Sequence, residues 1–387
     1  MSNEQKKRLA EVAAVFLKLG TIGFGGPAAH IALMQEEIVK RRKWIEREKF
    51  LDLLGAANLI PGPNSTELAI HLGYQRAGWP GLIVAGVCFI LPAMLIVLLF
   101  AMAYVAFGKL PEVARILDGI KPVIMAVVLN ALWSLSKSAL KNMETRIAAI
   151  GTIGLLLLGW NELLLLLLAG ILVMVVTNRK RVGTGVSGLA FLPFSPASAL
   201  LTANPSQPAA IGAISLSKLF LVFLKIGSIL YGSGYVLLAF LQSDFVERYQ
   251  ALTSQQLLDA VAIGQFTPGP LFTTATFVGY LLHGTPGAVL ATIAIFLPAF
   301  VFVALTSPWI PKLRRSPWMG GFLDGVNAAS LALMAVVSWQ LGQSAITDWG
   351  TAALAIVSLI LTFRTKINSV WLVIAGGLFG YLSTFFT

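Results

Sequence analysis

The sequence predicts an all-α, polytopic integral membrane protein: two homologous repeats in inverted orientation, each of five to six hydrophobic segments with broken helices. Three observations carry this prediction. First, of 387 residues 57% are apolar and only 12% charged, with mean hydropathy +0.82, whereas a soluble chain carries roughly 25% charged residues. Second, one motif recurs at a fixed offset in the second half of the chain. Third, Gly and Pro clusters interrupt apolar stretches that would otherwise each form one helix.

Composition excludes disorder, a coiled coil and an ordinary cytosolic enzyme. At roughly 20 apolar residues per span the chain holds material for about ten spans. The net charge of +11 is explained by basic cytoplasmic loops, so nucleic acid is not an expected partner and the lipid bilayer is. Cys88 is the single cysteine, which leaves no intramolecular disulfide and no thiolate metal site. The polar start, MSNEQKKRLAE, runs into an apolar segment longer than a signal-peptide core, so Met1 is expected to stay.

The repeat is read directly. Residues 16–26 (FLKLGTIGFGG) align with 223–233 (FLKIGSILYGS) at an offset of 207, with six identities. At the same offset Pro61-Gly62-Pro63 falls on Pro268-Gly269-Pro270. After one deletion the offset is 206, pairing Pro80-Gly81 with Pro286-Gly287, Leu91-Pro92-Ala93 with Leu297-Pro298-Ala299, Asp118-Gly119 with Asp324-Gly325, and Trp133 with Trp339. The domains expected are a first membrane repeat at 1–177, a cytoplasmic linker at 178–214 rich in Gly and Pro, and a second repeat at 215–387.

Within the first repeat, segment one (9–38) is interrupted by Gly23-Phe24-Gly25-Gly26-Pro27 and segment two (50–75) by Pro61-Gly62-Pro63. A long apolar run at 79–107 and a more amphipathic one at 116–140 follow. The stretch 147–177 has a polar notch at Trp160-Asn161-Glu162, and its arms either cross or form a hairpin. Loop charges test the orientation of the halves. Lys40, Arg41, Arg42, Lys43, Arg47 and Lys49 face a lone Arg248 in the second half, while Lys109 and Arg115 face a denser Lys312, Arg314 and Arg315. This alternation favours inversion. Lys6, Lys7 and Arg8 conflict with it if the first segment crosses once, and a re-entrant first segment removes the conflict.

Broken helices inside a bilayer leave amides and carbonyls that lipid cannot satisfy, so breaks line protein or a watery cavity. Each half-helix that starts after a break aims free N–H groups and a positive dipole end inward, an arrangement suited to an anion. The candidate substrate-binding residues are therefore Gly25 and Gly26 at the first break, and Pro61, Gly62, Pro63, Asn64, Ser65 and Thr66 at the second. Gly269, Thr273 and Thr274 are their counterparts in the repeat. Lys18 and Lys225 repeat inside apolar segments; an intramembrane ammonium marks a site by default, and snorkelling to the interface is the competing account. Glu67, His30 and His71 have no ionisable counterparts and are the proton-coupling candidates, or else caps and hydrogen-bonded packing residues. Asp118 and Asp324 read as charges favouring a helix start, and the Trp and Tyr residues as interfacial belts.

No GxxxxGK[ST], HExxH or histidine cluster occurs, so no catalytic residue, metal or cofactor is expected and the protein is not an enzyme. An ion gradient or the membrane potential is the expected energy source.

FLKLGTIGFGGPAAHIAL at 16–33, Trp44, Phe50 and ANLIPGPNSTELAIHLGYQRAGWPG at 57–81 resemble the chromate ion transporter family, and both halves carry the resemblance, as in its long-chain, two-domain members. The resemblance implies a multi-pass protein of the bacterial inner membrane that expels chromate, driven by membrane potential or proton gradient, and confers chromate resistance. The sequence leaves the oligomeric state open, a homodimer being one of the assemblies it allows. Tyr231-Gly232-Ser233 departs from GFGGP, and Phe266-Thr267-Pro268-Gly269-Pro270 lacks the Asn-Ser-Thr that follows the first break, so the halves are expected to have specialised. A tetrahedral dianion needs convergent N–H and O–H donors and positive charge; sulfate needs the same. A sulfate or other oxyanion transporter and a passive anion channel stay open as alternatives.

Overall fold

A computed structural model describes residues 2–108, 110–179, 214–231, 234–306, 316–365 and 367–383. The described residues are helical throughout, with no strand among them. The first half contains α1 (Asn3–Ile22), α2 (Gly26–Met34) running into a π turn (Gln35–Arg41), α3 (Arg47–Ala57), α4 (Asn64–Phe107), α5 (Pro111–Ala139), α6 (Met143–Leu157) and α7 (Glu162–Thr177). The second half repeats the order with α8 (Leu216–Ile229), α9 (Leu237–Leu241) and its π turn (Gln242–Arg248), α10 (Ser254–Phe266), α11 (Thr274–Thr306), α12 (Pro317–Ala345), α13 (Trp349–Arg364) and α14 (Ser369–Ser383). The helices α4, α5 and α12 and the stretch Leu271–Thr306 are long and apolar enough to cross a membrane.

A straight helix of 44 residues, the length of α4, would run roughly 66 Å, twice a bilayer core. Instead α4 folds back on itself at Ala77 and Gly78, where Gly78 takes φ +65°. Gly73 on the proximal arm lies directly against Gly81 and Ala85 on the distal arm. In the second half α11 turns at His283 and Gly284, and the Thr276 and Thr292 hydroxyls meet at 2.7 Å across the two arms. The distal arm of α4 shows why it suits lipid. Ile83, Val87, Leu91, Leu95 and Leu99, spaced by one helical turn, are exposed, while Ala85, Phe89, Ala93, Val97 and Ala101 are buried.

Both broken segments double back on themselves. Lys18 of α1 pairs with Glu37 at 2.9 Å, so the chain has turned at Gly23–Gly25 and come back alongside itself. Arg76, at the end of the proximal arm of α4, pairs with Glu11 of α1 at 2.6 Å and lies over the Trp44 ring just ahead of α3. The start of α3 and the end of the proximal arm therefore lie at one level, with the Pro-Gly-Pro break at the far tip. This arrangement puts Lys6, Lys7 and Arg8 on the same side as residues 40–49, which removes the charge conflict noted in the sequence.

Equivalent helices of the two halves pack on each other, α4 on α11 and α5 on α12, and the last elements are exchanged. The helices α13 and α14 pack on α5, and α6 and α7 pack on α12. The long arms run antiparallel: Gly86 of α4 lies against Phe300 on the distal arm of α11, while Tyr104, further along α4, reaches Phe277 of the proximal arm, beside the Thr276 that meets Thr292, earlier than Phe300 on the distal arm. Antiparallel contact between equivalent membrane-crossing arms is what inverted repeats require. The notch at 158–161 closes a hairpin: α6 runs with α12 (Lys141 to Asp324, Ala149 by Ala328 and Ala332), whereas α7 runs against it (Gly170 by Phe322, Asn178 by Pro317).

Residues 180–213, most of the expected linker 178–214, lie outside the described residues, as do Lys312, Arg314 and Arg315. Asp118 and Asp324 sit about two turns inside α5 and α12, beyond the first turn where the helix dipole acts. They serve instead as ion-pair partners of Lys121 and Lys141.

Candidate functional site

Pro61 and Pro63 remove two backbone donors and end α3 before a new half-helix begins at Asn64. Between them Gly62 takes φ +138°, a conformation side-chain-bearing residues rarely adopt. Its amide donates to the Leu230 carbonyl at 2.7 Å, at the end of α8 in the other half. Reciprocally the Gly269 amide, at φ +92°, donates to the Gly23 carbonyl at 2.9 Å, at the end of α1. Each break is thus tied to the first helix of the opposite repeat, and backbone groups that lipid would strand are satisfied.

His30 adds a second donor to the Gly23 carbonyl, through Nε2 at 2.8 Å, and its Nδ1 meets the Ser65 hydroxyl at 3.3 Å. A carbonyl only accepts, so Nε2 carries a proton; in the neutral ring Nδ1 then accepts from the Ser65 hydroxyl. Next to this chain the Thr66 hydroxyl and both carboxylate oxygens of Glu67 are buried with no hydrogen-bond partner. The Glu67 side chain folds back over Gly62, so that a Cβ built there would collide with Oε1. Buried polar atoms are rarely left without partners, and here three of them cluster at the start of one half-helix. His71 is buried on the following turn.

Other predicted residues are placed differently. Lys18 and Lys225 are engaged away from the breaks, by Glu37 at 2.9 Å and Asp244 at 2.5 Å. Each ties its helix to the π turn that follows, an engagement that neither anion binding nor snorkelling anticipates. The Asn64 amide is turned to Asn58 at 2.6 Å. Thr273 and Thr274 return their hydroxyls to the Pro270 and Leu271 carbonyls, both at 2.8 Å, and so close their own 3-10 turn rather than face a ligand. Gly25 and Gly26, at φ +102° and +76°, make the turn into α2. Among these candidates the polar atoms without hydrogen-bond partners, on Thr66 and Glu67, lie at the first-half break.

Sequence reasoning missed Gly23, Leu230, Ala93 and Ala299. The first two supply the carbonyls at the meeting point, and the two alanines pack against Gly269 and Gly62. A signal existed in the repeated Leu-Pro-Ala, where only a small third residue admits the opposite break.

Among known proteins, the family described as "Chromate transporter" matches twice, over residues 10–174 and 217–381. The chain is similar to a chromate transport protein of Cupriavidus metallidurans, 32% identical over 95% of this chain and 91% of that one. It is similar to a probable chromate transport protein of Synechococcus elongatus, 30% identical over 92% and 90%. A chromate transport protein of Pseudomonas aeruginosa is 30% identical over 96% and 92%. No solved structure matches. With both halves matching one family, and relatives spanning almost its whole length, the chain belongs to the chromate transporter family.

Proposed function

We propose that the chain exports chromate from the bacterial cytoplasm across the inner membrane, conferring chromate resistance, and that the oxyanion binds at the first-half break. The observation that carries this reading is the Thr66 hydroxyl, buried without a partner at the mouth of a half-helix whose break is held by the opposite repeat. The opening amides of that half-helix and the Thr66 hydroxyl offer donors that a tetrahedral dianion needs, and the Ser65 hydroxyl joins them by turning from His30 Nδ1 to the oxyanion. An inside-negative potential drives a dianion outward with about 4.6 kcal/mol per 100 mV, twice the value for one charge, so the potential alone can power export. Glu67 has no donor to displace before it exchanges a proton and is the coupling candidate at the break.

Chromate flux into everted membrane vesicles under an imposed potential tests the proposal. Accumulation beyond the Nernst ratio that the imposed potential sets for a dianion supports a coupled exporter; accumulation that stops at that ratio, and equal concentrations when the potential is zero, identify a passive channel. Absence of flux refutes the substrate. Sulfate has the same shape and charge, and a sulfate flux exceeding that of chromate would make this a sulfate transporter.

A further inference from the structure

A second ionisable cluster lies away from the breaks, where α10 of the second half meets α4 and α5 of the first. Lys121 of α5 is buried, with 8% of its side chain exposed, and its Nζ lies 2.9 Å from Asp118 and 3.4 Å from Asp259 of α10. The Tyr104 hydroxyl of α4 donates to the other Asp259 oxygen at 2.9 Å. Asp259 is 6% exposed and Asp118 62% exposed. Lys121 and Asp118 of α5 and Tyr104 of α4 are the charged and titratable groups acting on Asp259 among the described residues.

The charges do not balance. One ammonium faces two carboxylates, an excess of one negative charge, and of the two carboxylates Asp259 is the buried one, where a shared counter-charge leaves ionisation costly. A metal cation is disfavoured by the ammonium beside the carboxylates, and an oxyanion by the carboxylates themselves. A proton has neither difficulty. We propose that Asp259, framed by Lys121 and Tyr104, is a proton-binding site that couples proton movement to transport; this rests on the reading of the chain as a coupled transporter.

In the step an O–H bond forms at the Asp259 carboxylate with a proton taken from water, Lys121 keeps its three protons, and the reverse step returns the proton to water. Once neutral, Asp259 no longer holds Lys121, which retains Asp118, and the tie between α5 and α10 is released. From Asp259, α10 runs two turns to Phe266 and then into Pro268-Gly269-Pro270, where Gly269 holds Gly23 of the opposite half. Proton occupancy thereby reaches the second break through one short helix. The repeat has Asp52 and Asn327 at the positions equivalent to Asp259 and Lys121, so the lysine occurs once and the cluster is not duplicated.

The test uses the full chain in proteoliposomes with the membrane potential clamped. A pH gradient of one unit driving one proton per oxyanion sustains about a tenfold accumulation. Wild type should reach this level, and Asp259→Asn should lose it while chromate counterflow stays within about 2-fold of wild type, because counterflow needs no net proton movement. Independently of chromate, the acid-minus-alkaline infrared difference spectrum should contain a carboxyl C=O band that Asp259→Asn deletes. Tyr104→Phe, a milder variant, should move that band's transition to higher pH, since the carboxylate loses a donor. Retained pH-driven accumulation in Asp259→Asn overturns the site, as does loss of counterflow together with accumulation, which would make the cluster a structural tie. A spectrum unchanged by Asp259→Asn also overturns it, even if wild type carries no chromate. Absence of chromate flux in wild type with the infrared band present refutes the transport reading alone.

Discussion

Alanine at the two Pro-Gly-Pro glycines should separate stability from transport, because the two Cβ atoms meet different obstacles. At Gly269 an added Cβ lies 2.7 Å from Ala93 Cβ and 3.3 Å from the Gly20 carbonyl, both fixed to backbone. Positive φ costs about 1–2 kcal/mol, overpacking about 1–3, and the amide bond to Gly23, if broken, about 1–3 more. The sum of roughly 3–8 kcal/mol is a large part of the 5–15 kcal/mol that typically holds a domain folded. At Gly62 the obstacle is the free end of Glu67, which can swing away, so folding bears chiefly the φ strain of about 1–3 kcal/mol. Swinging Glu67 away disrupts the break itself. Gly26 is the control, with positive φ and nothing within 4 Å of its Cβ. Thermal unfolding in detergent should place Gly269→Ala lowest, with Gly62→Ala and Gly26→Ala nearer wild type. Chromate uptake should fall at least about tenfold in Gly62→Ala, as expected when the displaced break loses one hydrogen bond to the bound oxyanion, worth about 1.5–3 kcal/mol, and little in Gly26→Ala. A Gly269→Ala protein as stable as wild type, or a Gly62→Ala protein with normal uptake, would refute the reciprocal packing of the breaks.

Lys225→Gln leaves Asp244, 1% exposed, without its main partner and should cost about 3–5 kcal/mol. Expression and thermal midpoint should fall and be restored by Lys225→Gln with Asp244→Asn. Lys18→Gln should cost under about 1 kcal/mol, because Lys18 is half-exposed and Glu37 keeps Arg42 at 2.9 Å; a loss equal to that of Lys225→Gln would contradict the pairing. Reporter fusions beside Trp44 and beside Leu252 should report opposite sides of the membrane, and agreement between them would mean parallel repeats. Thr273→Val, whose hydroxyl closes its own turn, should leave the half-saturating chromate concentration within about 3-fold of wild type, below the 5-fold effect of a lost hydrogen bond of about 1 kcal/mol.

The large features were legible because each leaves a one-dimensional trace. Pro61-Gly62-Pro63 and its copy announce helix breaks, and the alternating basic loops announce inversion. That the first segment doubles back was readable from the conflict between Lys6–Arg8 and residues 40–49. What escaped needs contacts between segments far apart in sequence. Nothing local says that Gly62 finds Leu230 or that Ser65 finds His30. The lysines show a trace that was overlooked: Glu37 and Asp244 stand at the same offset as Lys18 and Lys225, so a repeated acid accompanies each repeated base. Thr273 and Thr274 look like donors in sequence, yet the 3-10 turn after Pro270 directs their hydroxyls back to its own carbonyls.

Equilibrium binding of radiolabelled chromate to the purified chain tests most directly whether the first-half break is the oxyanion site. Ser65→Ala and Thr66→Val should each weaken binding about 5-fold to 100-fold, the range for a hydrogen bond of roughly 1 to 3 kcal/mol, while Lys18→Gln, paired elsewhere, should bind as wild type does. Full affinity in well-folded Ser65→Ala and Thr66→Val would contradict the account, because the break would then be a packing kink and the oxyanion would bind elsewhere.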